Sequence, residues 1–224
     1  MDDKAKMSEI VRLLEQAFET TQTPWLDDPF QVLIATVLSQ NTSDRNSHRA
    51  FINLKERFDV TPQILSILKP ENLRAAIAVA GMSEVRSRRI IDIAKEVLRR
   101  FDGDLDRVFI FPLEDARGAL MEMEGVGPKT ADILLSFVGG FNIMPVDTNI
   151  FRVVDRIGFA KGRNYERTRG ALERLIPPEK LRSMHFRFIK LGREVCKPRN
   201  PLCPICPVNH YCEYGLKRLE KKET

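Results

Sequence analysis

The chain has 224 residues, 43% hydrophobic and 30% charged, which is enough apolar material for a core beneath an ordinary solvated surface. Its longest apolar runs, such as 133–138, are far too short to span a bilayer, so no membrane partner is expected. The formal net charge of +5 is a mild excess that admits a polyanionic partner without requiring one. The opening residues MDDKAKMSEI lack the apolar stretch of a secretory signal, and a cytoplasmic location is expected.

Apolar residues recur at i, i+3, i+4 and i+7 through 8–18, 29–39, 47–58, 61–68, 70–80, 86–101, 113–121, 129–137, 148–157, 163–175 and 178–192. Strand-like alternation is absent from the sequence. Pro29, Pro70, Gly103, Pro112, the pair Gly139 and Gly140, and the pair Pro177 and Pro178 punctuate the joints. Thr61-Pro62 and Thr148 supply helix-start signals. An all-α fold of about ten helices follows from this period. No internal repeat or low-complexity linker interrupts it, so a domain boundary has to lie within short loops. Trp25 reads as an interdomain packing residue. Arg86, Arg88 and Arg89 cluster in one segment, and Lys197, Arg199, Lys217, Arg218, Lys221 and Lys222 form a second basic group near the C-terminus. Both groups suit a polyanion.

Gly125-Val126-Gly127-Pro128-Lys129 interrupts two of the helical patterns. The glycines allow positive φ and a close backbone approach, and Pro128 suits a first helical turn. Amides at Gly125, Gly127 and Lys129 would then point outward at a helix N-terminus, a site suited to phosphate, although a plain αα-corner gives the same pattern. At that helix start the macrodipole opposes an ammonium and favours the neutral amine that a nucleophile requires. Eighteen residues after Lys129, Pro145-Val146-Asp147-Thr148-Asn149 places a carboxylate at the start of another helix. Taken alone, Asp147 reads as an N-cap.

The only four cysteines, Cys196, Cys203, Cys206 and Cys212, are spaced C-x6-C-x2-C-x5-C. Such a group is a ligand set for a tetrahedral metal or an iron–sulfur cluster. Disulfide frameworks spread through the fold they staple, whereas these cysteines crowd into one short stretch. Zinc sites commonly use two short knuckles, and only the Cys203 to Cys206 spacing forms one.

The order LxxxEGVGPKTA, PVDTNIFRV, C-x6-C-x2-C-x5-C resembles the endonuclease III family of DNA glycosylases, in the helix–hairpin–helix-Gly/Pro-Asp superfamily. The resemblance runs from Pro29-Phe30-Gln31-Val32-Leu33-Ile34 through Cys212. It implies two helical domains flanking a cleft. Residues 25–141 would form a continuous domain with the hairpin, and 1–24 plus 142–224 a second with a [4Fe-4S] cluster on the four cysteines. It implies a bifunctional DNA glycosylase and abasic-site lyase of base excision repair, excising oxidised pyrimidines, with Lys129 as nucleophile and Asp147 facing it across the cleft. Double-stranded DNA containing damaged bases or abasic sites is the implied partner, met by a monomer associated with the nucleoid.

Two loops of that family fill the gap left by a flipped nucleotide; here they correspond to 38–44 and 80–83. Asn41 stands where many relatives carry glutamine and Gln40 lies one residue earlier, so either can insert. Met82 replaces the usual leucine wedge, and its alternative is a core methionine at a helix start. Gly125 and Gly127 grip the backbone, and Lys197 and Arg199 meet phosphates from the loop between the first two cysteines. Asp44 matches an acidic position near the pocket, or caps a helix starting near Asn46. Asn149 departs from the histidine of many relatives and bears on the pocket. His48, His185 and His210 lack metal-like spacing and read as packing or surface residues. Two rivals stand beside this reading. One is a mismatch or modified-base glycosylase of the same superfamily, acting on thymine or uracil opposite guanine. The other is a non-catalytic helix–hairpin–helix DNA-binding module.

Overall fold

The computed structural model describes residues 2–20 and 26–223, without the side chains of 219–223, so Trp25 and the side chains of Lys221 and Lys222 lie outside what is described. The described residues are helical with no strand, and none of their helices is long and apolar enough to cross a membrane. The chain divides into two compact units: Pro24–Phe141, and Met1–Thr23 with Asn142–Thr224.

The first unit is built from α2 (Pro29–Ser39), α3 (Asp44–Arg57), α4 (Pro62–Ile67), α5 (Pro70–Ile77), α6 (Ser83–Phe101), α7 (Leu113–Met121) and α8 (Pro128–Phe137). Side-chain caps fix several starts. Asp28 Oδ1 accepts from the Gln31 amide at 2.7 Å ahead of α2, and Thr61 Oγ1 from the Ile64 amide at 3.3 Å ahead of α4. Pro occupies the first turn of α2, α4, α5 and α8, where its missing N–H costs nothing. Leu33, Ile34, Val37, Leu38, Phe51 and Leu54 are fully buried, as the helical period predicts. Between α7 and α8 lies a buried ion pair, Arg117 Nε to Asp132 Oδ1 at 2.7 Å. It bolts together the two helices on either side of the hairpin, because both charges would be costly to bury alone.

The second unit holds α1 (Asp3–Ala17), α9 (Thr148–Ile157), α10 (Tyr165–Leu175), α11 (Leu181–Glu194) and α12 (Glu213–Glu223). Met7, Ile10, Val11 and Leu14 of α1 share a core with Ile150, Val153 and Val154 of α9, Leu172 of α10 and Met184 and Phe188 of α11. Lys6 Nζ donates to the Ile157 carbonyl at 2.9 Å, placing a cation at the negative end of α9.

Several boundaries differ from the sequence reading, among them α1, which starts at Asp3 instead of residue 8, and α3, which starts at Asp44 instead of residue 47. The helix expected from residue 86 begins at Ser83, directly after Met82, and the segment expected to run to residue 80 ends as a 3-10 turn, Ala78–Ala80. The mainly charged α12 was not anticipated, since its apolar stripe is short.

Candidate nucleic-acid interface and metal centre

The hairpin between α7 and α8 closes on a hydrogen bond from the Val126 amide to the Met123 carbonyl at 3.0 Å. Gly125 uses the freedom the sequence offered, with φ +84, and a Cβ there would lie 2.1 Å from Cδ and Nε of Arg89. Gly127 is the N-cap of α8 with an ordinary φ of −87. Lys129, the second residue of α8, is exposed. Pro128 has no N–H and the Thr130 amide donates to the Gly127 carbonyl at 2.9 Å, which leaves the Gly127 and Lys129 amides at this helix start, a terminus suited to an anion.

Gln40 and Asn41, ambiguous in the sequence, are separated by the structure. Gln40 Nε2 donates to the Gly125 carbonyl at 3.0 Å and to Thr130 Oγ1 at 3.3 Å, and Gln40 Oε1 accepts from Arg89 Nη1 at 3.1 Å. Its amide is thus engaged by the hairpin. Asn41 is exposed with φ +54, a left-handed conformation asparagine tolerates. Met82 is 58% exposed with φ +49, so it is no core methionine. Asp44 is the first residue of α3, and the cap is Ser43, whose Oγ accepts from the Asn46 amide at 3.2 Å. Arg86 is not part of a basic surface: it is buried and donates only to main-chain carbonyls, whereas Arg88 is exposed and pairs with Glu84 at 2.7 Å.

In the other unit Asp147 is buried at the start of α9. Its Oδ1 accepts from the Ile150 amide at 2.8 Å, the expected cap, and its Oδ2 accepts from Asn149 Nδ2 at 2.8 Å. Arg152 Nη2 in turn donates to Asn149 Oδ1 at 2.9 Å and to the Gly192 carbonyl at 2.8 Å, and Arg152 Nε donates to the Cys196 carbonyl at 2.8 Å. Gly192 permits this approach, because a Cβ there would sit 2.8 Å from Asn149 Cβ. Two further contacts hold the segment leading into Asp147. His185 Nδ1 lies 2.9 Å from the Pro145 carbonyl, and Tyr165 Oη accepts from the Val146 amide at 3.2 Å. The carboxylate is fixed from both sides before any substrate arrives.

All four cysteines are free thiols and line one pocket with Arg156, Val195, Pro201, Asn209, Tyr214 and Gly215. Burial pushes the Cys206 thiol up to about 11 and raises that of Cys212, and the neighbouring thiols add to both. So close a set of sulfurs ionises only when positive charge joins it. Two donors already face the sulfurs: Arg156 Nη1 at 3.3 Å from Cys196 Sγ, and the Gly215 amide at 3.4 Å from Cys212 Sγ. Four thiols in a partly apolar pocket with N–H groups aimed at sulfur fit an iron–sulfur cluster. Arg156 also donates to the Lys197 carbonyl at 2.8 Å and the Pro198 carbonyl at 3.1 Å, so α9 itself holds the loop that displays Lys197 and Arg199, both exposed. Sequence reasoning missed Arg152 and Arg156; their one signal was the i,i+4 spacing of two arginines on a helix that starts with the key carboxylate.

Comparison with known proteins gives a consistent picture. Residues 34–178 match the HhH-GPD superfamily base excision DNA repair proteins, and residues 196–212 match the iron-sulfur binding domain of endonuclease III. Endonuclease III of Thermotoga maritima is 36% identical over 191 residues, covering 85% of each chain. Endonuclease III of Escherichia coli K12 is 33% identical over 216 residues, covering 96% of this chain and 98% of the relative. A solved structure of a trapped endonuclease III–DNA covalent intermediate superposes with a TM-score of 0.85 at 29% identity, covering 98% of this chain and all of the other.

Proposed function

Because this chain belongs to the endonuclease III family of the HhH-GPD superfamily, we propose that it is a bifunctional DNA glycosylase and abasic-site lyase of base excision repair that removes oxidised pyrimidines. Its partner is double-stranded DNA, which it meets as a monomer on chromosomal DNA in the cytoplasm. The damaged nucleotide leaves the base stack at a cost of a few kcal/mol, least where damage has already weakened stacking and pairing. The neutral amine of Lys129 then bonds to C1′ as the glycosidic bond breaks, and the base departs with a proton. The opened sugar forms a Schiff base with Lys129 Nζ. Loss of a C2′ proton and rupture of the C3′–O bond complete β-elimination and cut the strand 3′ to the lesion. Asp147, held by the Ile150 amide and Asn149 Nδ2, stabilises positive charge developing at the sugar and assists the proton movements. Asp44 and Asn149 each contribute to recognition of the base. Cys196, Cys203, Cys206 and Cys212 would hold a [4Fe-4S] cluster whose part is to brace the loop carrying Lys197 and Arg199, since glycosidic cleavage needs no electron transfer.

The observation that carries this reading is an exposed lysine at the second position of the helix that follows the glycine hairpin, in a chain of this family. A passive DNA-binding module needs no such amine, and a glycosylase that uses water as its nucleophile needs none either. Borohydride reduction in the presence of a duplex bearing thymine glycol tests it. The wild-type protein is expected to form a covalent adduct that Lys129→Gln abolishes while the variant still binds the duplex. An adduct that persists in Lys129→Gln overturns the assignment. A panel adding uracil and thymine opposite guanine checks the substrate class, and faster excision of those bases would favour the mismatch enzyme.

A further inference from the structure

Arg86, in the first turn of α6, is 3% exposed. Its Nη1 donates to the carbonyls of Val37 at 2.6 Å and Leu38 at 3.0 Å, its Nη2 to the carbonyl of Gln40, and its Nε to the carbonyl of Gly81 at 2.9 Å. The first three acceptors belong to the C-terminal end of α2, where a helix leaves its carbonyls without intrahelical partners. The fourth belongs to the turn between Ala80 and α6. One guanidinium therefore joins the loops at Gln40 and Gly81, distant in sequence, with a planar fork whose fixed geometry suits several acceptors at once.

The residue that follows each end of this tie is unusual. Asn41 follows Gln40 with φ +54, and Met82 follows Gly81 with φ +49. Left-handed backbone is uncommon for a methionine and persists where the surroundings over-determine it. Here the surroundings are the carbonyls on Arg86, immediately preceding both residues. Gln40 adds a second tie, since its side chain bonds the Gly125 carbonyl and Arg89. The two loops and the hairpin thus form one body. Burial lowers the affinity of the Arg86 guanidinium for its proton, and the charge of Arg89 lowers it further.

We propose that Arg86 is a positioning residue that makes Asn41 and Met82 act on the duplex as a single preset wedge. This rests on the glycosylase reading and on taking Asn41, the exposed member of the Gln40 and Asn41 pair, together with Met82 as the side chains that enter the gap left by a flipped nucleotide. A wedge set before binding avoids ordering two loops on the DNA, which would otherwise oppose affinity. Its signature is non-additivity: once one half of the wedge is removed, the other half cannot do its share alone.

The test measures dissociation constants for a duplex containing tetrahydrofuran, a non-cleavable abasic analogue, and for the undamaged duplex. Wild type, Asn41→Ala, Met82→Ala and the double variant are compared, and the cycle is repeated in Arg86→Met and Arg86→Lys. In the wild-type background the two substitutions are expected to deviate from additivity by about fivefold or more. In Arg86→Met the deviation falls below about twofold, while Arg86→Lys retains part of it, an ammonium reaching fewer of the four carbonyls. Affinity of the Arg86 variants for undamaged DNA stays within about twofold, because the backbone contacts are separate. A merely structural arginine would lower thermal stability and leave the coupling intact, so coupling that persists in folded Arg86→Met overturns the proposal. Additivity within about twofold in the wild-type background overturns it however the Arg86 variants fold. Borohydride trapping through Lys129 on an abasic duplex separates the two levels. If wild type fails to trap, the functional reading falls and this inference with it; trapping with additive loops removes this inference alone.

Discussion

Replacing Gly125 and Gly127 in turn by alanine should separate folding from DNA grip, although the two residues are neighbours in one hairpin. At Gly125 the backbone has φ +84, a left-handed conformation that costs an L-residue about 1–2 kcal/mol. The new Cβ would also lie 2.1 Å from Cδ and Nε of Arg89, so that side chain has to leave. Its bond from Nη1 to Gln40 Oε1 goes with it, a hydrogen bond from a charged donor worth about 1.5–3 kcal/mol. The sum is roughly 2.5–5 kcal/mol, or a fall of roughly 5–20 °C in the unfolding transition. Gly127 is different. Its φ is −87 and a Cβ there meets nothing within 4 Å. Alanine loses an N-cap preference of under about 1 kcal/mol and recovers about 0.4–1 kcal/mol by restricting the unfolded chain, leaving stability within about 0.5 kcal/mol of wild type. What the Cβ does meet is whatever docks on the exposed start of α8. Losing one amide–phosphate hydrogen bond of about 1.5–3 kcal/mol weakens DNA binding by about tenfold or more. Thermal unfolding by circular dichroism and anisotropy titration of an abasic-analogue duplex at fixed salt measure the two effects. A Gly127→Ala protein that binds as tightly as wild type, or that melts as low as Gly125→Ala, refutes the reasoning.

Asn149→Ala leaves Asp147 Oδ1 capping α9 but releases Oδ2, so single-turnover base excision should fall by about tenfold with DNA affinity unchanged; an equal loss of affinity would place Asn149 elsewhere in the cycle. Lys197→Gln and Arg199→Gln should each weaken binding to any duplex and reduce the salt dependence of log K by about one; unchanged slopes in both would remove this loop from the interface. In the metal-free protein the Cys206 thiol, pushed up to about 11, is protonated at neutral pH. Iron and sulfide must displace that proton, so reconstitution followed by its visible absorbance should become more favourable from about pH 7 to pH 9, and a flat profile would contradict this.

Much of the helical scaffold is legible in the apolar period, because most helices bury one face and start at a proline or a capping side chain, as Asp28 and Thr61 do. The cysteine spacing and the hairpin are legible for a similar reason: their chemistry is local in sequence. What the sequence hid is mostly non-local. Arg86 reads as one of three surface arginines, and only the carbonyls of Val37, Leu38, Gln40 and Gly81 around it reveal why it is buried. That Gln40 is engaged and Asn41 exposed depends on Gly125 and Arg89, far along the chain, which bind the first of the two side chains. At Asp147 the N-cap occupies one carboxylate oxygen and leaves the other to Asn149, so the cap does not compete with the role proposed for this side chain.

The path of α1 has a consequence for synthesis of the chain. Its residues are made well before those they bind: Ile157, whose carbonyl accepts from Lys6, and Arg187, whose Nε donates to the Phe18 carbonyl at 3.2 Å. At roughly 5–20 residues per second the helix waits roughly ten to thirty seconds for those residues to be made, while the unit from Pro24 to Phe141 can complete itself in between. During that interval Met7, Ile10, Val11 and Leu14, all buried in the finished protein, have nothing native to cover them. A nascent chain halted between the two units should therefore carry an apolar amphipathic helix ahead of its completed unit, a ready substrate for chaperones that hold such segments until α9 to α11 arrive.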